Sequence, residues 1–259
     1  MAASNSRAPV SVLVPAFNEE ATIGLVIDKL LKLPFVKEII VVDDCSKDRT
    51  AEIVEEKRRR NRKIRLLRHS ENQGKTAAIK TAVQDAQGSI VIIQDADLEY
   101  SPSEMINVVS PIINGVADVV YGSRFLVRRE ARVLYYGHFL ANRFLTTLSN
   151  IFTNLNMTDI ETGYKALRTP LLKSLVLTSS GFGMEAEITA HIARLPIRIY
   201  ETPISYYGRT YEEGKKIGMK DGIMAILYIF YYNILGVRLP SARKYRNTVR
   251  DFLNSEIKR

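Results

Sequence analysis

Short runs of valine and isoleucine alternate with segments of helical periodicity through the first half of this 259-residue chain. The β-branched runs lie at residues 10–14, 38–42, 64–67, 89–94 and 118–121. Between the first two runs, residues 22–33 repeat apolar side chains at helical spacing. A run that is nearly continuous in Ile and Val is typical of a parallel strand buried on both faces. The alternation therefore predicts an α/β fold with a mostly parallel sheet flanked by helices.

Three of the predicted strands end in polar clusters. These are Asn-Glu-Glu at residues 18–20, Asp-Asp at residues 43–44 and Asp-Ala-Asp at residues 95–97. In doubly wound sheets the ligand lies beyond the carboxyl ends of the strands, so the clusters predict one shared binding site. The alternative is local use of each cluster, since Asn and Asp also cap helices and form turns.

Asp95 and Asp97 emerge one residue apart at the end of an apolar strand, and Glu99 lies two residues further on. Carboxylates at this spacing can share a hard divalent cation, Mg²⁺ or Mn²⁺, to which a diphosphate adds oxygens. Such a cation would offset the negative charge on a departing diphosphate. Acidic pairs are also common in turns. The strand-end position and the neighbouring clusters are what favour a metal site here.

The second half of the chain is basic and less regular. Acidic and basic residues nearly balance in residues 1–120, so the formal net charge of +9 lies in the remainder. This asymmetry indicates an anionic partner, such as a phosphorylated substrate or lipid headgroups. Helices are predicted at residues 134–155, 170–177, 184–195 and 220–235, and a strand at residues 198–201.

The longest apolar stretch, residues 223–237, is shorter than the roughly 20 residues of a membrane-spanning helix. Tyr228, Tyr231 and Tyr232 lie within it and basic residues follow it, a pattern typical of an interfacial helix on anionic lipid. Packing on the protein's own core, or in a homo-oligomer interface, is the alternative. Cys45 is the only cysteine, which excludes an internal disulfide and suits a reducing, cytoplasmic setting.

Four motifs at the strand ends carry a resemblance to a known family. They are VPAFNEE at 14–20, VVDDCSKD at 41–48, NQGK at 72–75 and QDADLE at 94–99. In order, spacing and secondary-structure context they resemble the family-2 glycosyltransferases of the GT-A fold. Three further motifs are similar to the subgroup that contains dolichyl- and polyprenyl-phosphate mannose and glucose synthases. They are YGSRF at 121–125, TDIETGYKALR at 158–168 and GRTYEEGKKIG at 208–218.

The resemblance implies a catalytic domain at residues 1–219, with a nucleotide-sugar half (8–125) and an acceptor half (126–219). Residues 220–259 would form an apolar helix and basic tail that contact a membrane surface or a second copy. The implied nucleotide-sugar-binding residues are Pro15, Ala16, Phe17, Asn18, Glu19, Asp43, Asp44, Lys75, Asp95, Ala96 and Asp97. Asp43 or Asp44 would contact the base. The implied metal ligands are Asp95, Asp97 and Glu99.

The resemblance also implies an inverting transfer, in which an acceptor oxygen attacks the anomeric carbon as the nucleotide diphosphate leaves. A hydroxyl acceptor would need a general base, for which the candidates are Glu185, Glu187, Asp159 and Glu161. A phosphate acceptor is already anionic and needs cations to hold it. The candidates are Arg124, Arg132, Arg209, Lys215 and Lys216. The expected catalytic residues are Asp97, Glu185, Asp159 and Arg124.

Because the candidate cations outnumber the candidate bases, we expect a phosphate acceptor. Together with the resemblance, this implies transfer of a hexose from a UDP- or GDP-sugar to a polyprenyl phosphate. The protein would lie peripherally on the cytoplasmic face of the membrane, and its GRTYEEGKKIG segment would close over the phosphates. Transfer to a glycan or glycolipid hydroxyl is the alternative within enzymes. A nucleotide- or nucleic-acid-binding protein without catalysis is the alternative from another class. We expect no nucleic-acid partner, because a channel for a polyanion should not present carboxylates unless metals mask them.

Overall fold

Seven strands form one sheet in the computed structural model, which describes residues 9–126, 132–133, 135–181, 183–210, 212, 218–238 and 240–257. The strands are β1 (Val10–Ala16), β2 (Val36–Asp43), β3 (Ile64–Arg68), β4 (Ile90–Ile93), β5 (Val119–Ser123), β6 (Lys165–Arg168) and β7 (Ile199–Pro203). The helices are α1 (Ile23–Leu31), α2 (Thr50–Arg60), α3 (Lys75–Asp85), α4 (Met105–Ile113), α5 (Tyr136–Thr153), α6 (Thr169–Ser174), α7 (Met184–Ile192), α8 (Met219–Phe230) and α9 (Pro240–Ile257).

The strand order across the sheet is β3-β2-β1-β4-β6-β5-β7. The four strands β1 to β4 are parallel, and β5 is parallel to β7. β6 is antiparallel to both of its neighbours, β4 and β5. The insertion of β6 between β4 and β5 brings residues from the second half of the chain into the centre of the sheet. It therefore places them beside the end of β4.

Apolar side chains cover both faces of the sheet. Along β1, Val12 and Val14 pack with the helices α1, α2 and α4, whereas Leu13 packs with the helices on the opposite face. This alternation follows from the two-residue period of a strand. Helices α3 and α5 to α9 supply the buried side chains of the second face. Because both faces are covered, the edge at the carboxyl ends of the strands is left for polar residues.

The α/β prediction is confirmed, and each of the five strands predicted in the first half is present with ends that differ by at most two residues. In the second half β6 is a strand that the sequence pattern does not predict; it is only four residues long and carries Lys165 and Arg168. The segment of α9 is predicted from the sequence as a basic tail. This segment forms a helix whose Tyr245 and Val249, four residues apart, are buried.

The helix predicted at residues 220–235 is divided in the structure. Regular α-helix ends at Phe230, and Tyr231–Leu235 forms a π-helical turn. Among the described residues, no helix has both the length and the apolar character that crossing a membrane requires.

Candidate active site

The three polar clusters meet at the carboxyl ends of β1, β2 and β4. Ala16 and Asp43 are paired residues at the ends of β1 and β2. The Gln94 N–H donates to the Leu13 carbonyl at 3.0 Å, so residues 95–97 leave the sheet beside the end of β1. The parallel pairing of these strands is therefore the reason that segments distant in sequence form one edge.

Asn18 joins two loops at this edge. Its backbone is left-handed, with φ of 54°, a region that Asn adopts more readily than most residues. The Asn18 Oδ1 accepts from the Lys47 N–H at 2.8 Å, and the Asn18 N–H donates to Ser46 Oγ at 2.9 Å. Three further residues expected to bind the nucleotide sugar lie at the end of β1. Pro15 and Phe17 are partly exposed, and Ala16 is buried.

Asp44 holds the loop that precedes α3. Its carboxylate accepts from the backbone N–H groups of Gln73 at 3.0 Å and Gly74 at 2.7 Å. His69 Nδ1 lies 2.6 Å from Asp44 Oδ1, and His69 Nε2 lies 2.9 Å from Thr81 Oγ1. Both oxygens of Asp44 are thus engaged within the protein. His69 was not singled out in the sequence, where only its position just after a strand could have indicated a role.

Asp43 differs from Asp44 in how its oxygens are used. The side chain is fully buried, and its Oδ2 accepts no hydrogen bond from the described residues. The Arg68 Nε lies 3.4 Å from that oxygen and forms an ion pair with it. Of the two aspartates, Asp43 is therefore the one with an oxygen that could accept a hydrogen bond from a nucleotide base.

The carboxylates of Asp95, Asp97 and Glu99 form a cluster that two cationic side chains neutralise. Lys75 Nζ lies 2.9 Å from Asp95 Oδ1. Arg209 Nη2 lies 2.9 Å from Asp97 Oδ2, and Arg209 Nε lies 3.3 Å from Glu99 Oε1. Arg209, expected beside a phosphate, here lies against the expected metal ligands.

The ionisation of Asp97 is perturbed by its surroundings. Burial, followed by the negative charges of Asp95 and Glu99, raises the pKa of Asp97 to about 7. Arg209 lowers this pKa again, but only in part. A carboxyl group of this kind remains ionised when a nearby cation supplies more positive charge.

No group of three or more Asp, Glu, His or Cys side chains in the described ranges is arranged as a complete metal site. The cluster nevertheless suits a hard divalent cation, because it consists of carboxylate oxygens and already has a guanidinium group seated against Asp97. Asp95 and Asp97 would hold the ion, and Glu99 would add a third carboxylate. Oxygens of a bound diphosphate would complete the coordination.

Lys75, the first residue of α3, joins this cluster to α7. Its Nζ lies 2.9 Å from Asp95 Oδ1 and 3.3 Å from Glu185 Oε1. Burial lowers the pKa of Lys75, but the carboxylates of Asp95 and Glu185 raise it by more, so the net pKa lies above the ordinary value. The structure thus places Lys75 as the shared counter-ion of two carboxylates.

Glu185 and Glu161 are incompletely paired carboxylates on the acceptor side. Glu185 Oε2 and Glu161 Oε1 are buried and accept no hydrogen bond from the described residues. Burial, with a further contribution from Glu185, raises the pKa of Glu161 to about 7. Burial lowers the pKa of the nearby Lys165 to about 8. Glu185 and Glu161 are therefore carboxylates of the expected acceptor half that can still accept a hydrogen bond.

Arg124 and Asp159 form a buried bidentate pair. Arg124 Nε and Nη2 donate to the two oxygens of Asp159 at 2.6 and 2.7 Å, and the Arg124 backbone N–H donates to Asp159 Oδ2 at 3.1 Å. The Arg124 guanidinium also lies 5.2 Å from the ring centroid of Tyr206. Asp159, a candidate base in the sequence, has both oxygens occupied by Arg124. This arrangement favours a positioning role for Asp159.

The remaining acceptor-side candidates are placed differently. Glu187 is fully buried and accepts from the backbone N–H groups of Thr178 and Ser179 at 2.7 and 2.9 Å, which indicates a structural role. Arg132 is exposed, and its Nη1 donates to the Gly208 carbonyl at 2.9 Å. Lys215 and Lys216 lie outside the described residues.

Gly163 allows Asp95 to take its position. A Cβ atom on Gly163 would overlap Asp95 Oδ2. The Gly163 N–H donates to the Tyr100 hydroxyl at 3.1 Å, and the Tyr100 ring stacks on Tyr164 with 5.4 Å between centroids. Neither Gly163 nor Tyr100 is among the residues predicted from the sequence. The Thr-Gly-Tyr sequence at residues 162–164 was the available signal for the glycine.

Comparison with known proteins identifies the family. The sequence model of glycosyl transferase family 2 matches residues 11–176. The chain belongs to this family. The undecaprenyl-phosphate mannosyltransferase of Micrococcus luteus is 25% identical over 215 residues, which cover 81% of this chain and 88% of the relative. The UDP-N-acetylglucosamine–dolichyl-phosphate N-acetylglucosaminyltransferase of Methanococcus voltae is 28% identical over 181 residues, which cover 64% of this chain and 72% of the relative.

A solved structure extends the likeness to the fold. Glucosyl-3-phosphoglycerate synthase from Mycobacterium tuberculosis, crystallised with Mn²⁺, UDP-glucose and phosphoglyceric acid, matches with a TM-score of 0.69 and 20% identity. The match covers 91% of this chain and 82% of that chain. The expected GT-A fold is therefore confirmed, and this family 2 glycosyltransferase is a transferase enzyme.

Gly163→Ala tests whether the position of Asp95 matters to this glycosyltransferase. The added methyl group would displace the Asp95 carboxylate. We therefore expect the rate at which the enzyme releases nucleotide from the sugar donor to fall by about tenfold or more. A tenfold loss corresponds to about 1.4 kcal/mol of transition-state stabilisation. Gly137→Ala is the matched control, because a Cβ atom there meets nothing within 4 Å. Equal activity of the two variants would show that close packing against Asp95 is not required.

Proposed function

We propose that this glycosyltransferase transfers a hexose from a UDP- or GDP-sugar to a polyprenyl phosphate at the cytoplasmic face of a membrane. The observation that carries the proposal is the cluster of Asp95, Asp97 and Glu99 at the strand ends, with Lys75 and Arg209 as its internal cations. Carboxylate oxygens suit the divalent cation of a nucleotide diphosphate, and adjacent cationic side chains suit its phosphates. The names of the Micrococcus luteus and Methanococcus voltae relatives support the choice of acceptor.

The donor would lie along the edge formed by β1, β2 and β4. Asp43 offers a buried oxygen to the base, and Pro15 and Phe17 are partly exposed beside it. Asp44 acts indirectly, since it fixes the backbone of Gln73 and Gly74. A divalent cation held by Asp95 and Asp97 would neutralise the charge of the departing diphosphate.

The acceptor would approach from the side of β5, β6 and α7. Arg124 is the principal candidate for its phosphate, because its guanidinium is pre-oriented by Asp159 and lies over the ring of Tyr206. A phosphate oxygen is already anionic near neutral pH and needs no general base. It attacks the anomeric carbon while the bond from that carbon to the diphosphate oxygen breaks, and the configuration inverts.

The buried carboxylates on this side bear on the choice of acceptor. Asp159 is engaged by Arg124, and Glu187 by backbone N–H groups. Their engagement leaves fewer carboxylates to act as a base, which supports a phosphate acceptor. The second candidate function is transfer to a sugar hydroxyl, and Glu185 supports it. Its Oε2 accepts no hydrogen bond from the described residues. This oxygen could take the proton of the hydroxyl as a general base.

An exposed apolar face supports the membrane location. We call it the α5–α8 apolar face, and it comprises Tyr136, Phe139, Leu140, Phe144, Ile151, Ile223, Met224 and Leu227. The two helices pack together through Phe152 and Phe230, whose ring centroids are 5.1 Å apart. Helix α9 adds exposed basic residues, Arg243, Arg246 and Arg250. Exposed apolar and basic side chains together suit a surface of anionic lipid.

Product analysis tests the proposed reaction. Membranes with UDP- or GDP-linked radioactive hexoses, Mn²⁺ and the enzyme are expected to yield sugar on extracted lipid that mild acid releases. Asp97→Asn should reduce this yield by about a hundredfold or more, since it removes a charge that the cation requires. Asp28→Asn, which alters an exposed carboxylate paired with Lys57, should leave the yield unchanged.

Two results would contradict this assignment. Labelled glycan without any acid-labile lipid product would favour the hydroxyl acceptor. Undiminished transfer by the Asp97→Asn variant would remove the cluster from the mechanism.

Leu227→Glu tests the membrane face. Leu227 is 55% exposed on α8, so a charge there should cost little stability. Because the charge would have to enter the lipid surface, it should weaken binding to vesicles of phosphatidylcholine and phosphatidylglycerol by about tenfold. Leu25→Glu on α1 is the matched control, because Leu25 is 54% exposed and lies outside the α5–α8 apolar face. Vesicle flotation gives the binding. If Leu227→Glu instead converts a dimer to a monomer and leaves vesicle binding unchanged, the face is an interface between copies.

A further inference from the structure

Arg209 contacts three carboxylates, those of Glu19, Asp97 and Glu99. Binding of the acceptor alone would not require these contacts. Arg209 Nη2 lies 2.9 Å from Asp97 Oδ2 and 3.7 Å from Glu19 Oε1. Its Nε lies 3.3 Å from Glu99 Oε1, and its backbone N–H donates to the same oxygen at 3.0 Å. One guanidinium thus bridges carboxylates from the end of β1 and from the segment after β4.

Arg209 and Lys75 are both cations of this cluster, but they are held in different ways. Lys75 begins helix α3 and lies between Asp95 and Glu185, so its charge is part of the packed interior. Arg209 follows β7 in a segment without regular secondary structure, and its side chain is 23% exposed. Of the two, Arg209 has the more exposed side chain and the backbone without regular secondary structure, so it is the better candidate to leave the cluster.

A divalent cation on Asp95 and Asp97 would compete with Arg209 in its present position. The guanidinium lies at hydrogen-bond distance from an oxygen of Asp97, the side chain that would hold the ion. Two positive charges that share one partly buried carboxylate repel each other. Movement of Arg209 would relieve this repulsion, and a nucleotide diphosphate offers the anion to which it could move.

We propose that Arg209 is an internal cation that occupies the position of the donor's divalent cation and exchanges with it when the nucleotide sugar binds. The inference rests on the proposed function, because it assigns the divalent cation to Asp95 and Asp97. Without nucleotide the protein binds the cation weakly. With the nucleotide diphosphate it binds the cation more tightly, because the diphosphate replaces the carboxylates as the anionic partner of Arg209. Linkage then makes the cation tighten nucleotide binding by the same factor.

Titration of the whole protein with Mn²⁺ tests this exchange without any turnover. Free Mn²⁺ is measured by electron paramagnetic resonance in the absence and presence of UDP and of GDP. Arg209→Ala should bind Mn²⁺ alone about tenfold more tightly than the unaltered protein. The nucleotide should tighten Mn²⁺ binding by a smaller factor in this variant. Arg209→Lys retains a cation and should resemble the unaltered protein more closely.

Arg58→Ala is the control for loss of a basic residue, since Arg58 pairs with Glu55 on the exposed side of α2. It should leave Mn²⁺ binding unchanged. Thermal unfolding of every variant shows that the comparison is between folded proteins. If Arg209→Ala does not fold, Arg209→Gln removes the charge with a smaller change in volume, and Arg209→Lys remains the variant that keeps it.

Equal or weaker binding of Mn²⁺ by Arg209→Ala, relative to the unaltered protein, would overturn the inference. Absence of Mn²⁺ binding in every variant, with or without nucleotide, would overturn it together with the metal site. The acceptor does not enter these titrations. A sugar product on a hydroxyl instead of a lipid phosphate would therefore overturn the proposed acceptor and leave the exchange at Arg209 standing.

Discussion

The site depends on how positive charge compensates the carboxylates that parallel strands gather at one edge. Because β1, β2 and β4 end together, the acidic residues at their ends are brought to one edge of the sheet. Lys75 supplies positive charge at this edge, because its Nζ lies 2.9 Å from Asp95 Oδ1 and 3.3 Å from Glu185 Oε1. Removal of one partner from such a buried group leaves an uncompensated charge. Lys75 therefore links the carboxylate cluster at the strand ends to helix α7.

A continuous set of contacts joins this cluster to the acceptor side. The Tyr206 hydroxyl donates to Glu99 Oε2 at 2.8 Å, and the Tyr206 ring lies beneath the Arg124 guanidinium. Asp159 in turn fixes Arg124. Contacts of this kind are the physical means by which a change of cation at Glu99 could alter the orientation of Arg124. The residues that we propose to hold the charge of the donor therefore also contact the proposed acceptor site.

The sequence predicted the parts of this arrangement that depend on local pattern. The strands β1 to β5 followed from runs of Val and Ile, and the convergence of polar clusters followed from parallel pairing. Features that depend on long-range packing were missed. Arg209 and Asp97 are 112 residues apart, so their pairing has no local signature. β6 is too short and too polar for its periodicity to be read, and Gly163 matters only because Asp95 lies against it.

Anomalous X-ray diffraction from crystals grown with Mn²⁺ and UDP or GDP tests the central claim most directly. The account predicts a manganese peak between Asp95 and Asp97, with diphosphate oxygens among its ligands. It also predicts Lys75 still between Asp95 and Glu185, and the Arg209 guanidinium moved from Asp97 to the diphosphate. A manganese peak elsewhere on the protein, or a nucleotide bound with Arg209 still against Asp97 and Glu99, would contradict the account.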